Sequence, residues 1–141
     1  MTYPDKVLLS KGYYKWQKGT ILQLSSHFVT TEFECAGSKS GDLQCISQDL
    51  VQRLQNVRNA LKMPLSITSA YRTAEYQLYL QTLGYKTSPN SQHLLGNAVD
   101  VTCRDMDKLM LICECYFKSI GIAKSFLHLD TRDDKIRRWS Y

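Results

Sequence analysis

Two of the three histidines in this chain stand at spacings that suit metal chemistry. In Ser91-Gln92-His93-Leu94-Leu95-Gly96-Asn97-Ala98-Val99-Asp100, His93 falls on a polar loop and Asp100 within the apolar segment that follows. Gly96 lets the chain turn between them, so ligands from loop and strand can converge. On a strand, Val99 and Val101 share one face and leave Asp100 on the other with Ala98 and Thr102. His128 and Asp130 repeat the pattern: they alternate with Leu127 and Leu129 and so point away from the core. Set side by side, the two strands offer His93, Asp100 and His128 as three ligands for one metal ion. Two imidazoles and a carboxylate leave a fourth position on zinc for water, as in catalytic rather than structural sites. Zinc there lowers the pKa of that water to about 7 and polarises a carbonyl. His27 has no acidic or histidine neighbour at such spacing and reads as a packing residue near the start of a helix.

Elements that could position these groups follow from the pattern of the chain. The first 25 residues mix Tyr, Trp, Lys and Leu without a clean period and read as an extended arm with turns; residues 1–23 are assigned to that arm and 24–141 to one domain. Ser25-Ser26 offers a helix cap before His27, and 36–42 is a Gly/Ser loop. Ser47 caps a helix whose Leu50, Val51, Leu54, Val57 and Leu61 recur at helical spacing, with Pro64 beyond its end. Leu65 to Ser69 alternates as a strand. A second helix runs from about Thr73 to Leu83, with Tyr76, Leu80 and Leu83 on one side, and Gly84 closes it. Asn97 to Thr102 is a strand. Asp105 caps a third helix reaching toward Gly121, and Phe126 to Asp130 is a last short strand. The charged tail 133–138 closes on Trp139 and Tyr141, read as packing residues. The sum is an α+β domain, about three helices flanking one short, mostly antiparallel sheet.

Composition sets the outer bounds. Apolar residues make up 43% and charged residues 22% of the 141, the profile of a globular domain able to bury a core. No apolar run approaches the roughly 20 residues that span a bilayer, and the opening residues lack the basic and apolar regions of a signal peptide. Synthesis in a cytosol is therefore expected. Eighteen Lys and Arg against thirteen Asp and Glu give a net charge of +5, spread along the chain. No nucleic-acid motif accompanies that charge, and no nucleic-acid partner is expected. Five cysteines, an odd number with no CxxC pair, argue against both a disulfide framework and a four-cysteine zinc site. Cys35 and Cys45 bracket the Gly/Ser loop and could pair under oxidising conditions.

The motif Ser-x-His-x-x-Gly-x-Ala-x-Asp at Ser91 to Asp100, followed by His-x-Asp at His128 to Asp130, resembles the M15 family of zinc D-Ala-D-Ala carboxypeptidases and peptidoglycan endopeptidases. Leu24 to Phe28, Glu32 to Cys35, Ile67 to Thr73, Ile120 to Ile122 and Trp139 fit the same family. The resemblance implies a hedgehog/DD-peptidase-like fold, one zinc ion on His93, Asp100 and His128, and Arg72 on a substrate carboxylate or carbonyl oxygen. It implies a peptidoglycan peptide as substrate and action at the bacterial cell wall, as in a phage-type lysin, with a monomer as the default state. Many members carry an acid three positions before the last His; this chain has Ser125 there. Asp130 then stands in three readings: it orients water or moves protons, it accepts a hydrogen bond from a ligand imidazole, or it pairs with Arg132. The Ser91 hydroxyl binds substrate or caps its loop. A non-catalytic zinc-containing wall-binding or virion module is the alternative to the enzyme.

Overall fold

Residues 7–88 and 90–141 are described by the computed structural model, and the architecture is α+β. Strand β1 (Leu8–Ser10) turns through Lys11 and Gly12 into β2 (Tyr13–Gln17). Both turn residues have positive φ, 53° and 85°, which matches the twist of a two-residue hairpin. Residues 8–17 thus form a β-hairpin within the expected arm, whose residues 1–6 lie outside the described residues, and β2 pairs antiparallel with β3 (Leu43–Ser47) to complete a three-stranded sheet. Trp16 on β2 is buried, and its indole N–H donates to Glu34 at 2.9 Å.

Ser47 ends β3 and caps α1 (Gln48–Leu61), its Oγ accepting from the Leu50 N–H at 3.2 Å. The apolar positions at helical spacing, Leu50, Val51, Leu54, Val57 and Leu61, are all buried. Lys62 closes the helix in the left-handed region, ahead of Pro64. The expected helix after Ser25 does not form. Residues 24–28 make a turn closed by Leu24 N–H to Phe28 O, and a 3-10 turn spans Thr30–Phe33. The buried Gln55 of α1 explains it: its amide oxygen accepts from Ser25 Oγ and the His27 N–H, and its nitrogen meets His27 Nδ1 at 2.7 Å. His27 is therefore exposed and structural, held from α1.

The second sheet carries five strands in the order β4 (Ser66–Ser69), β5 (Ala98–Thr102), β7 (Leu127–Asp130), β6 (Ser119–Ile122), β8 (Arg137–Ser140). All pairs are antiparallel except β6 with β8. The strands thus lie in two sheets where the sequence pattern suggested one. Strand β3 follows the expected 36–42 loop in a stretch given no element, and β6 and β8 fall where the end of a helix and a charged tail were expected. Helix α3 (Met106–Cys113) has the expected Asp105 cap but stops short of Gly121. Past Cys113 the chain tightens into turns, Cys115 N–H to Ile112 O and Tyr116 N–H to Cys113 O, and enters β6.

Helix α2 (Ala74–Thr82) is capped by Thr73 and is mostly exposed. Its buried residue is Gln77; Tyr76 and Leu80 are half-buried and Leu83 is exposed. One apolar cluster runs from Trp16 and Phe33 through α1 to Val99, Ile120 and Leu129, joining both sheets. All five cysteines are unpaired, Cys35 and Cys45 included.

Candidate active site

Strand register brings the site together. Asp100 on β5 lies directly opposite His128 on β7, while Val99 opposite Leu129 and Val101 opposite Leu127 fill the core behind them. His93 arrives on a 3-10 turn (Gln92–Leu95), capped by Ser91 Oγ accepting from the His93 N–H at 3.2 Å. Gly96 ends that turn with φ 76°, and a Cβ there would lie 3.0 Å from the Cys45 carbonyl oxygen. No side chain fits, so the loop docks backbone to backbone on β3, with Ser47 N–H donating to Gly96 O at 2.8 Å. The hairpin braces the same loop, since Tyr13 Oη donates to Asn97 Oδ1 at 2.7 Å.

The hydrogen bonds of each imidazole fix which nitrogen is free. His93 Nδ1 lies 2.7 Å from the Ala70 carbonyl oxygen, an acceptor only, so Nδ1 carries the proton and Nε2 a bare lone pair. His128 Nε2 lies 2.8 Å from Asp130 Oδ2, so in the neutral ring the proton sits there and Nδ1 is bare. Both bare nitrogens approach Asp100 Oδ1 at 3.3 Å. These three ligand atoms lie within 4.8 Å of one another, and all three residues are buried. Asp100 Oδ1 and His128 Nδ1 have no hydrogen-bond partner among the described residues. Buried lone pairs left unpaired are costly, and a cation at their meeting point is what satisfies them. The donor set thus fits a metal ion with two nitrogen ligands and one oxygen.

Burial and charge act on the three groups in different directions. Burial works against charge on Asp100, but the imidazoles of His128 and His93 outweigh it and hold the carboxyl far below the usual range. Burial lowers His93 and keeps it neutral. Burial also opposes charge on His128, yet the carboxylates of Asp100 and Asp130 overcome it and raise its pKa.

The remaining expected residues fall around this centre. Arg72 precedes α2 and turns inward: Nη2 lies 3.3 Å from Asp100 Oδ2, Nε 3.0 Å from Ser69 Oγ, and Nη1 3.4 Å from Gln77 Oε1. A β-bulge between Ile67 and Ser69, beside the site, precedes this turn. Asp130 is fully buried and lies behind His128. Its Oδ2 accepts from His128, Ser119 Oγ and Arg132 Nη2, and its Oδ1 from the Arg132 backbone N–H and Nε. Ser125 lies exposed in the β6–β7 turn and is absent from the cavity wall.

A cavity opens over the three ligands. Its described wall includes Arg72, Ser91, Arg132, Trp139 and Tyr141 beside them, together with Gln77 and Lys86. Trp139 and Tyr141, expected to be packing residues, therefore face the site. The Trp139 indole lies over Gly121, where a Cβ would come within 2.6 Å of it, and its ring centre is 5.3 Å from that of His128. The signal in the sequence was the alternation of Trp139 with Tyr141, the mark of a strand face.

A family model described as Peptidase M15 matches residues 26–130, and the chain belongs to that peptidase family. No curated protein matches the chain. M15 peptidases are metal-dependent hydrolases, and His93, Asp100 and His128, all inside the matched range, form the buried group that could hold the metal. No helix among the described residues is long and apolar enough to cross a membrane.

Proposed function

We propose that the chain is a zinc peptidase that hydrolyses bacterial peptidoglycan stem peptides or cross-links at the cell wall, as a carboxypeptidase or endopeptidase. The observation that carries this reading is the meeting of three bare lone pairs, His93 Nε2, Asp100 Oδ1 and His128 Nδ1, at the floor of an open cavity. A zinc ion held there supplies an acidified water and a Lewis acid for the scissile carbonyl. The protein's own groups do the rest. Ala70 O and Asp130 fix the two imidazole tautomers, so both ligand nitrogens are presented without rearrangement. Arg72, anchored by Ser69 and Gln77, offers positive charge to a substrate carboxylate or to the oxyanion. Ser91, besides capping its loop, lines the cavity and can contact substrate. Of its three readings, Asp130 is best supported as the group that orients His128 and pairs with Arg132, because both its oxygens are occupied.

Incubation of the purified protein with peptidoglycan, with and without chelator, tests the proposal. Chelator-sensitive release of new amines or of D-alanine is expected; wall left intact under all conditions counts against it. The second reading, a zinc-containing wall-binding module, has one observation in its favour. The only acidic side chain in the described cavity wall is Asp100, which already belongs to the ligand set. Tight wall binding by a protein with a full complement of zinc and no turnover would select it.

A further inference from the structure

Beyond the residues matched by the family model, the cavity wall continues through Arg132, Trp139 and Tyr141. Its described cationic side chains are Arg72, Lys86 and Arg132, against the single acidic side chain of Asp100, which Arg72 already approaches. Lys86 has no ion-pair or hydrogen-bond partner among the described residues. Arg132 is held on several sides. Its Nε and Nη2 form a two-pronged fork onto Asp130, each at 2.9 Å. Nη2 also lies 3.3 Å from Ser119 Oγ, and the guanidinium carbon is 6.0 Å from the centre of the Trp139 ring. These contacts use one edge and one face of the group. Nη1, with two N–H donors, has no partner among the described residues. An arginine immobilised before ligand arrives loses little entropy on binding, and the Nη1 donors, beside the fork already made to Asp130, can reach a second carboxylate.

We infer that Arg132, assisted by Lys86, determines specificity by holding a second carboxylate of the peptide substrate, separate from the group at Arg72. The inference rests on the peptidase reading above and names the chemistry of its substrate, a peptide with an anionic group away from the scissile bond. Asp130 serves this second subsite and the metal site at once, because the same carboxylate anchors Arg132 and His128.

Two synthetic stem pentapeptides, L-Ala-γ-D-Glu-L-Lys-D-Ala-D-Ala with the glutamyl α-carboxylate free or amidated, provide the test. Binding to the zinc-loaded full chain is measured by calorimetry, and kcat/KM by released amine. The wild type is expected to favour the free carboxylate about tenfold or more in affinity, the value of one charged hydrogen-bonded contact. Arg132→Gln is expected to erase that ratio, and Arg132→Lys, which keeps charge but not the fork, to retain part of it. Equal binding of both peptides by the wild type, binding of neither, or an Arg132→Gln loss shared equally by both, overturns the inference. Should Arg132→Gln not fold, Lys86→Gln decides, and a ratio left at its wild-type value is the contrary result. A charge preference that Arg132→Gln removes, with neither peptide nor purified peptidoglycan cleaved, retires the peptidase reading but leaves the subsite; equal cleavage of both does the reverse.

Discussion

Asp130 has no exposed surface and five hydrogen bonds to its two oxygens, so its influence on a metal ion passes through the His128 ring. Replacing it with Asn allows the amide to donate toward His128 and moves the ring proton to the ligand nitrogen. Asp130→Asn is expected to weaken zinc binding about 10-fold or more, in the range found for groups behind a ligand histidine. Competition with a fluorescent chelator measures this, and unchanged affinity would show that the tautomer is fixed by other means. Protons compete with the metal at the same nitrogen. His128 titrates above the ordinary imidazole value of 6.5, so in the metal-free protein it contributes stability below that pH, lost as pH rises through the folded value. His93, lowered by burial, contributes in the opposite sense, its share lost as pH falls from 6.5 through its folded value. Zinc on Nδ1 must displace the His128 proton. The rise in Tm on adding zinc is therefore expected to be larger at about pH 8 than at about pH 6, as calorimetric scans would show. An equal rise at both would argue that the metal does not use His128.

Elements differ in how much of their structure the chain announces locally. Helix α1 was legible because cap, apolar period and terminator lie within its own residues, Ser47 through Pro64. The ligand pair His93 and Asp100 was legible for the same reason, with Gly96 marking the turn between them. Strand β6 was not, since Ile120 and Ile122 continue the apolar pattern of α3, and only pairing with β7 makes them a strand. Strand β8 looks like a charged tail in sequence; its state comes from the parallel pairing with β6 and the seat of Trp139 on Gly121. That seat is testable. Gly121→Ala puts a methyl into the indole and is expected to cost about 1–3 kcal/mol, as overpacking does. A shift in tryptophan emission should accompany the lower midpoint in urea. A variant as stable as the wild type, with unchanged emission, would contradict the packing of Trp139 over Gly121.

At the scale of the molecule, two sheets and the helices α1 and α3 share one apolar cluster, and the site lies where the loop before β5 docks on both β3 and the hairpin. The amino-terminal segment reads as an arm because its aromatic and basic residues show no period, yet Trp16 is part of the common core. That membership depends on pairing with β3, distant in sequence. Trp16→Ala is expected to destabilise the whole chain by about 3–5 kcal/mol in a single transition. Loss of the hairpin alone, with the remainder melting as before, would mark it as separable.

The central claim joins metal to chemistry, and a zinc titration of the stripped protein addresses both together. Metal is removed with chelator, zinc is returned in steps, and amines released from purified peptidoglycan are counted at each step. Release should be absent at the start, rise in proportion to zinc, and level off at one equivalent, while Asp100→Ala stays flat throughout. Release independent of zinc, or one equivalent of zinc tightly bound with no amine released, would contradict the account.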